Sequence, residues 1–86
     1  MANHDSSKKR IKQTVRRTER NKHVRTTVRS FVKTARLAIE SGDKTAATSA
    51  LSEAVRRIDM AVSKGVYHRK TGSRYISRLS AQVASL

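Results

Sequence analysis

The chain has 86 residues, of which 20 are Lys or Arg and six are Asp or Glu, for a formal net charge of +14. This length allows one small domain (residues 1–86), and the charge favours a polyanionic partner, nucleic acid before anionic membrane. The sequence has no Cys, which excludes disulfides and thiolate metal sites. It has no apolar run near the roughly 18 residues that span a membrane, and no apolar signal peptide, so we expect a cytoplasmic protein.

The first predicted helix covers residues 7–40 and follows a disordered lead over residues 1–6. Ser6 or Ser7 is the candidate cap of this helix. Neither Pro nor Gly interrupts this stretch, which holds 12 of the 20 cationic side chains. From Val24 onward, apolar residues recur at steps of four and three, which is typical of a helix face that packs on other helices. Before Val24 this pattern stops, and we expect those residues to project as a charged rod.

Two further helices are predicted over residues 44–63 and 68–86, each with an apolar face at helical spacing. Between the first two, Gly42 suits the left-handed position after a helix and Asp43 suits the cap of the next one. Inside the third helix, Gly72 is an unfavourable residue that costs up to about 1 kcal/mol relative to Ala, so its first turn is expected to fray.

Three apolar-faced helices joined by short loops predict an all-α fold, an antiparallel three-helix bundle. At a rise of 1.5 Å per residue, the first helix is roughly 50 Å long and the other two are roughly 30 Å. The long N-terminal helix therefore overhangs the bundle by roughly 20 Å. This excess corresponds to the segment before Val24, where the apolar pattern is missing.

Cations before Val24 occur on all sides of the predicted helix, which would suit a rod inserted between several RNA helices. A second basic cluster lies at and after the start of the third helix, where the free N–H groups beside His68 and Arg69 would suit a phosphate. Within this helix, Lys70, Arg74 and Arg78 are four residues apart and are expected to share one face. The sequence has only three aromatic residues, so we expect recognition of folded RNA through its backbone and shape rather than of single strands. The candidate RNA-binding residues are Lys8, Lys9, Arg10, Lys12, Arg16, Arg17, Arg20, Lys22, Arg25, Arg29, Lys64, His68, Arg69, Lys70, Ser73, Arg74 and Arg78.

No cofactor, metal site or catalytic site is expected. The three His residues are widely separated, and the six acids are explained as helix caps or surface partners. Glu53 and Arg57, four residues apart, are expected to form such a surface pair. No nucleophile has a base at a suitable spacing. The sequence is therefore that of a binding protein and not of an enzyme.

Several motifs resemble one family. The segment Lys64-Gly65-Val66-Tyr67-His68-Arg69-Lys70, followed by Ser73-Arg74 and Ser77-Arg78-Leu79, is similar to the C-terminal signature of the bacterial small-subunit ribosomal protein numbered twenty. The opening Met1-Ala2-Asn3 with Ser6-Ser7-Lys8-Lys9-Arg10, and the helix break over residues 38–44, resemble the same family.

The resemblance implies a three-helix bundle that binds small-subunit rRNA directly and early in assembly, bridging RNA helices in the ribosome without catalysis. It implies a monomer within the particle, with neighbouring ribosomal proteins as possible further partners. The chain departs from the family pattern at three places. Tyr67 replaces a usual aliphatic residue, Lys70 replaces a common Asn, and Gly72-Ser73 replaces a usual Ala-Ala pair.

Three other functions remain alternatives at this stage. A DNA-compacting or helix-turn-helix protein is disfavoured because its recognition helices are short and sit in compact units. A membrane-surface helix would need an apolar face that residues 8–23 do not offer. A coiled-coil module is allowed by the apolar faces of the first two helices, although these are short enough to pack within one chain.

Overall fold

The computed structural model describes the backbone of residues 2–86 and the side chains from His4 onward. Over these residues the chain forms three helices and no strand: α1 (Ala2–Ser41), α2 (Lys44–Ser63) and α3 (Arg69–Ala84). The predicted all-α fold class is confirmed. The molecule measures 63 × 20 × 14 Å, and its long dimension is set by α1, because 40 helical residues span roughly 60 Å.

The start of α1 differs from the sequence prediction. The helix begins at Ala2, whereas a disordered lead was expected over residues 1–6, of which Met1 lies outside the described residues. Nothing between Ala2 and Ser7 stops a helix, because this segment has neither Pro nor Gly, and Asp5 places a negative charge in the first turn. Ser6 and Ser7 are therefore inside the helix and do not cap it.

The connection between α1 and α2 is a tight turn. Gly42 has a φ of 75°, and its N–H donates to the carbonyl of Ile39 at 3.1 Å. The next residue, Asp43, caps α2 by accepting a hydrogen bond from the N–H of Ala46 at 3.1 Å. Both roles were predicted from the sequence, and the tight turn makes α1 and α2 antiparallel neighbours.

The end of α2 is a Schellman motif. Gly65, with a φ of 77°, donates to the carbonyl of Val62 at 3.0 Å, and Val66 donates to that of Ala61 at 2.9 Å. Val66 is buried beside the core and anchors the loop. His68 then caps α3, since its Nδ1 accepts from the N–H of Lys70 at 3.1 Å. The third helix thus begins one residue after the predicted start.

The core is built mainly from small and β-branched side chains. Its short residues let the helices approach closely, as expected of a chain with three aromatic residues. The C-terminal end of α3 is shorter than predicted: the helix stops at Ala84, Ser85 is its C-cap and Leu86 is exposed. The buried apolar residues are Val24, Val28, Ala35, Ala47, Ala54, Ile58, Ala61, Val66, Leu79 and Val83.

Gly72 has a different role from the one that its sequence context indicated. It is buried within α3 and faces α2, where an added Cβ would lie 2.6 Å from Cγ2 of Val62 and 3.3 Å from Cγ2 of Ile58. Carbon atoms in favourable contact are about 3.5–4.0 Å apart. The glycine therefore lets α3 approach α2 closely, and it does not mark a frayed turn.

The first half of α1 extends beyond the bundle. Every residue from position 4 to position 20 is exposed, and Val24 is the first residue of α1 that is buried in the core. We call residues 4–20 the arm. Its 17 residues correspond to roughly 25 Å of free helix.

Candidate nucleic-acid interface

The candidate contact residues all lie on the surface. Each of the 17 side chains proposed from the sequence is exposed. Seven of them lie on the arm, three lie on α1 beyond it, and seven lie in or after the loop that precedes α3. The bundle therefore buries none of these groups.

The arm presents its cations in a defined direction. The core face of α1 contains Val24 and Val28, and the same four-three spacing continues backward through the half-buried Asn21 to Arg17, with Arg20 and Gln13 beside this line. These positions therefore point to the side of the helix that packs on the bundle farther along. Gln13, Arg17 and Arg20 also line one shallow surface depression, together with Arg16. The apolar face of α1 is thus continued by a basic face.

Between positions 11 and 18 one strip of the arm is uncharged, and cations precede and follow it on the same side of the helix, at Lys8 and Lys22. Ile11, Thr14, Val15 and Thr18 are three or four residues apart and share this strip. Ile11 is 63% exposed and Val15 is 51% exposed. The hydroxyl of Thr14 donates to the carbonyl of Arg10 at 2.9 Å and is thereby partly satisfied within the helix. The positive charge of the arm is therefore concentrated on the remaining surface.

The second basic cluster lies near the base of the arm. Val66, in the loop before α3, packs in the same core cluster as Val24 of α1. Tyr67 of this loop also lines one groove together with Arg25. The loop residues Lys64 and His68 are thus placed at the end of the bundle from which the arm projects. The fold brings together two basic groups that are about 40 positions apart in the sequence.

The start of α3 has fewer free backbone donors than the sequence suggested. A phosphate was expected to bind the free N–H groups beside His68 and Arg69. The His68 side chain already accepts from the N–H of Lys70, so this donor is not free. The Nε2 atom of the exposed His68 ring points away from this hydrogen bond and can contact a ligand.

Farther along α3, Lys70, Arg74 and Arg78 are four residues apart and share one exposed face, as the sequence predicted. The guanidinium carbon of Arg74 lies 5.7 Å from the centroid of the Tyr75 ring, within the range of a cation–π contact. Ser73 is exposed between Lys70 and Arg74. Lys70, Arg74 and Arg78 therefore form a row of cations along the exposed side of α3.

A basic groove lies between α1 and α3. Its volume is about 710 Å³. The floor is apolar and aromatic, and the lining includes five cations and no acid. The cations are Arg25, Arg29, Lys33 and Arg36 from α1 and Arg78 from α3, and the other lining residues are Val28, Val32, Tyr67, Tyr75, Leu79 and Gln82.

Two cations of this groove were missed by the sequence prediction. Lys33 and Arg36 were not proposed as contact residues, although they follow Arg25 and Arg29 at helical spacing. That spacing was the available signal. It was not used because the position of α3 beside this face of α1 cannot be read from the sequence.

Arg57 is also placed differently from its sequence interpretation. We expected a surface pair with Glu53, four residues earlier. Its guanidinium instead lies over the ring of Phe31, with the carbon 4.8 Å from the centroid. This cation is half-buried between α1 and α2 and belongs to the packing of the bundle.

The described residues offer little to other kinds of ligand. Among the side chains from His4 onward, no three His, Asp or Glu residues are grouped closely enough to hold a metal ion. In the part of the chain that the structure describes, no helix combines the length and the apolarity that crossing a membrane requires.

Comparison with known proteins identifies the family. The family described as Ribosomal protein S20 matches residues 2–84. The small ribosomal subunit protein bS20 of Maricaulis maris is 54% identical over 86 residues, covering 100% of this chain and 98% of the relative. Those of Citrifermentans bemidjiense and Geotalea uraniireducens are 51% and 54% identical, each covering 100% of this chain and 99% of the relative. The resemblance inferred from the motifs is thereby confirmed, and the chain belongs to the ribosomal protein S20 family.

Proposed function

We propose that this protein is a structural component of the small ribosomal subunit that binds small-subunit rRNA directly and bridges RNA helices during and after assembly. Its relatives are named as small ribosomal subunit proteins, which supports a non-enzymatic role in cytoplasmic ribosomes. The chain acts as a monomer within the particle, because the apolar faces of its helices are buried against one another. Neighbouring ribosomal proteins are possible further partners.

The exposed arm is the observation that carries this proposal. Over residues 4–20 it has seven cations and two acids, and none of its side chains is covered by the bundle. Such a helix gains little from packing, and its like charges repel one another. A polyanion removes this repulsion and releases its own counterions, which gives binding a large favourable term.

The arrangement of the basic groups supports a bridge between RNA helices rather than contact with one. The arm points away from the bundle, while Lys64, His68 and the outer face of α3 belong to the bundle itself. One set of cations therefore reaches roughly 25 Å beyond the other. Two RNA segments can be held at a fixed separation by a protein of this shape.

The test is the affinity of the full-length chain for purified small-subunit rRNA and for an unrelated RNA duplex, measured over a range of salt. We expect tighter binding to the rRNA and a steep dependence on salt. A protein that contacts 6–10 phosphates loses about 10³- to 10⁵-fold in affinity between about 50 and 200 mM salt. Equal affinity for both RNAs would contradict the proposal.

A pair of charge-matched variants locates the interface. The variant Arg16→Gln/Arg20→Gln removes two cations from the arm, whereas Lys44→Gln/Arg56→Gln removes two exposed cations from α2. Each phosphate contact contributes about 0.9 to the salt slope, so the arm variant should lower the slope by about 2. The α2 variant should leave it nearly unchanged. Equal losses would show that only net charge matters.

A further inference from the structure

We propose that the groove between α1 and α3 binds one unstacked nucleotide of the RNA, with its base against the tyrosines of the floor and its phosphates on the cations of the rim. This proposal rests on the proposed function and adds a base-binding site to an interface otherwise described by its charge. A nucleotide is the ligand that combines a flat aromatic group with flanking negative charge.

The floor of the groove is suited to a base. Tyr67 and Tyr75 are both half-buried, and their ring centroids are 5.9 Å apart at an interplanar angle of 79°. This edge-to-face pair lies beside the buried side chains of Val28 and Leu79, so both rings are held in place. An aromatic ring fixed in this way presents a stacking surface at a low cost in conformational entropy.

The rim of the groove is suited to the sugar–phosphate backbone. Arg25, Arg29, Lys33 and Arg36 follow one another along α1 over roughly 16 Å. Arg78 lies on the opposite side of the groove. The lining has no acid, so the charge is complementary to an RNA strand and repels a second copy of this basic chain. The volume of about 710 Å³ is within the range of small-ligand sites.

Tyr67 and Tyr75 differ in what else lies against their rings. Tyr75 already has the guanidinium of Arg74 near its ring, 5.7 Å from the centroid. We therefore assign the main stacking contact to Tyr67.

The experiment compares the binding of a six-nucleotide adenine RNA with that of a hexamer that has the same phosphates but lacks the bases. Stacking of a base on an aromatic side chain is worth about a 5- to 150-fold change in affinity. The native chain should prefer the intact hexamer by about this factor. Tyr67→Leu should bind both hexamers equally, and Tyr67→Phe should retain the preference.

Two readouts make the test decisive. Tyr67 and Tyr75 are the only tyrosines of the chain and both line the groove, so the shifts of tyrosine ring protons in the native chain report on this groove. Upfield shifts of the Tyr67 ring with the intact hexamer, and not with the abasic one, are expected. If the native chain binds both hexamers equally and without these shifts, the groove binds phosphates or another partner, and the proposal is wrong even if Tyr67→Leu does not fold.

The same measurements separate this proposal from the proposed function. Tyr67→Leu removes no charge, so its salt slope on small-subunit rRNA should equal that of the native chain while its affinity falls. If the native chain shows no preference for small-subunit rRNA, the proposed function fails. If this preference is present but the hexamer comparison shows no effect of the bases, only the nucleotide site fails.

Discussion

Replacing Gly72 by Ala tests whether this glycine allows α3 to pack closely on α2. The added Cβ would lie 2.6 Å from Cγ2 of Val62, about 1 Å inside a favourable carbon–carbon contact. Val62 is β-branched and has one strongly preferred rotamer in a helix, so it cannot move aside freely. Ile58, 3.3 Å from the same Cβ, is fully buried. The helices must therefore separate, or a side chain must leave its rotamer.

The size of the effect follows from two opposing terms. Overpacking of this kind costs about 1–3 kcal/mol, whereas Gly→Ala inside a helix gains up to about 1 kcal/mol. For an approach as close as 2.6 Å we expect an overpacking cost of about 2–3 kcal/mol, so the balance is a loss of about 1–2 kcal/mol in the free energy of unfolding. For a domain of this size, this loss corresponds to a fall in Tm of about 4–16 °C. Tyrosine fluorescence is a suitable probe, because both tyrosines lie in the bundle and not on the arm.

Two further variants control this measurement. Ser73→Ala changes the adjacent exposed position and reports helix propensity without a clash, so it should leave Tm unchanged or raise it slightly. Val62→Ala/Gly72→Ala should recover part of the loss, with a coupling free energy of about 0.5–3 kcal/mol. The reasoning is refuted if Gly72→Ala is as stable as the native chain, as helix propensity alone would predict.

Two other predictions concern the free protein. Amide hydrogen exchange of the chain without RNA should be fast over residues 8–20 and slow in the core of α2. The reason is that no packing stabilises the arm and its like charges destabilise a helix. Strong protection of amides across the arm would contradict this prediction. Gly65→Ala should lower the free energy of unfolding by about 1–2 kcal/mol, the cost of a left-handed conformation for an L-residue. An added Cβ at Gly65 meets no atom within 4 Å, so the cost comes from the backbone conformation, which Asn tolerates better than Ala. In urea unfolding, Gly65→Asn should therefore lose less stability than Gly65→Ala. Equal losses of stability would instead indicate a steric cause.

The features that depend on local sequence were predicted correctly. The spacing of Val24 and Val28 identified the core face of α1, and both residues are buried. Gly42 and Asp43 were assigned to a left-handed turn and a helix cap from their residue types, because each role depends on the conformation of a few neighbouring residues. Local patterns of this kind are visible in a single sequence.

The features that were wrong or missed depend on distances between helices. Gly72 was interpreted by its helix propensity, but its role is set by Val62 and Ile58 on another helix. The groove between α1 and α3 was missed for the same reason, since neither Lys33 nor Arg36 indicates by itself which helix lies opposite. At the N-terminus, a weak cap signal at Ser6 and Ser7 was overridden because nothing before these residues prevents a helix.

The continuous register of α1 has a consequence for how the arm is aimed. Since one unbroken helix carries both Val24 in the core and Arg20 and Arg17 on the arm, docking of the bundle fixes the rotation of the charged half. An insertion of one residue between Arg20 and Val24 would turn the arm by about 100° and leave its length, composition and charge unaltered. The direction of the positive field thus depends on the helical phase between the arm and the core, whereas the strength of the field depends on the number of charges.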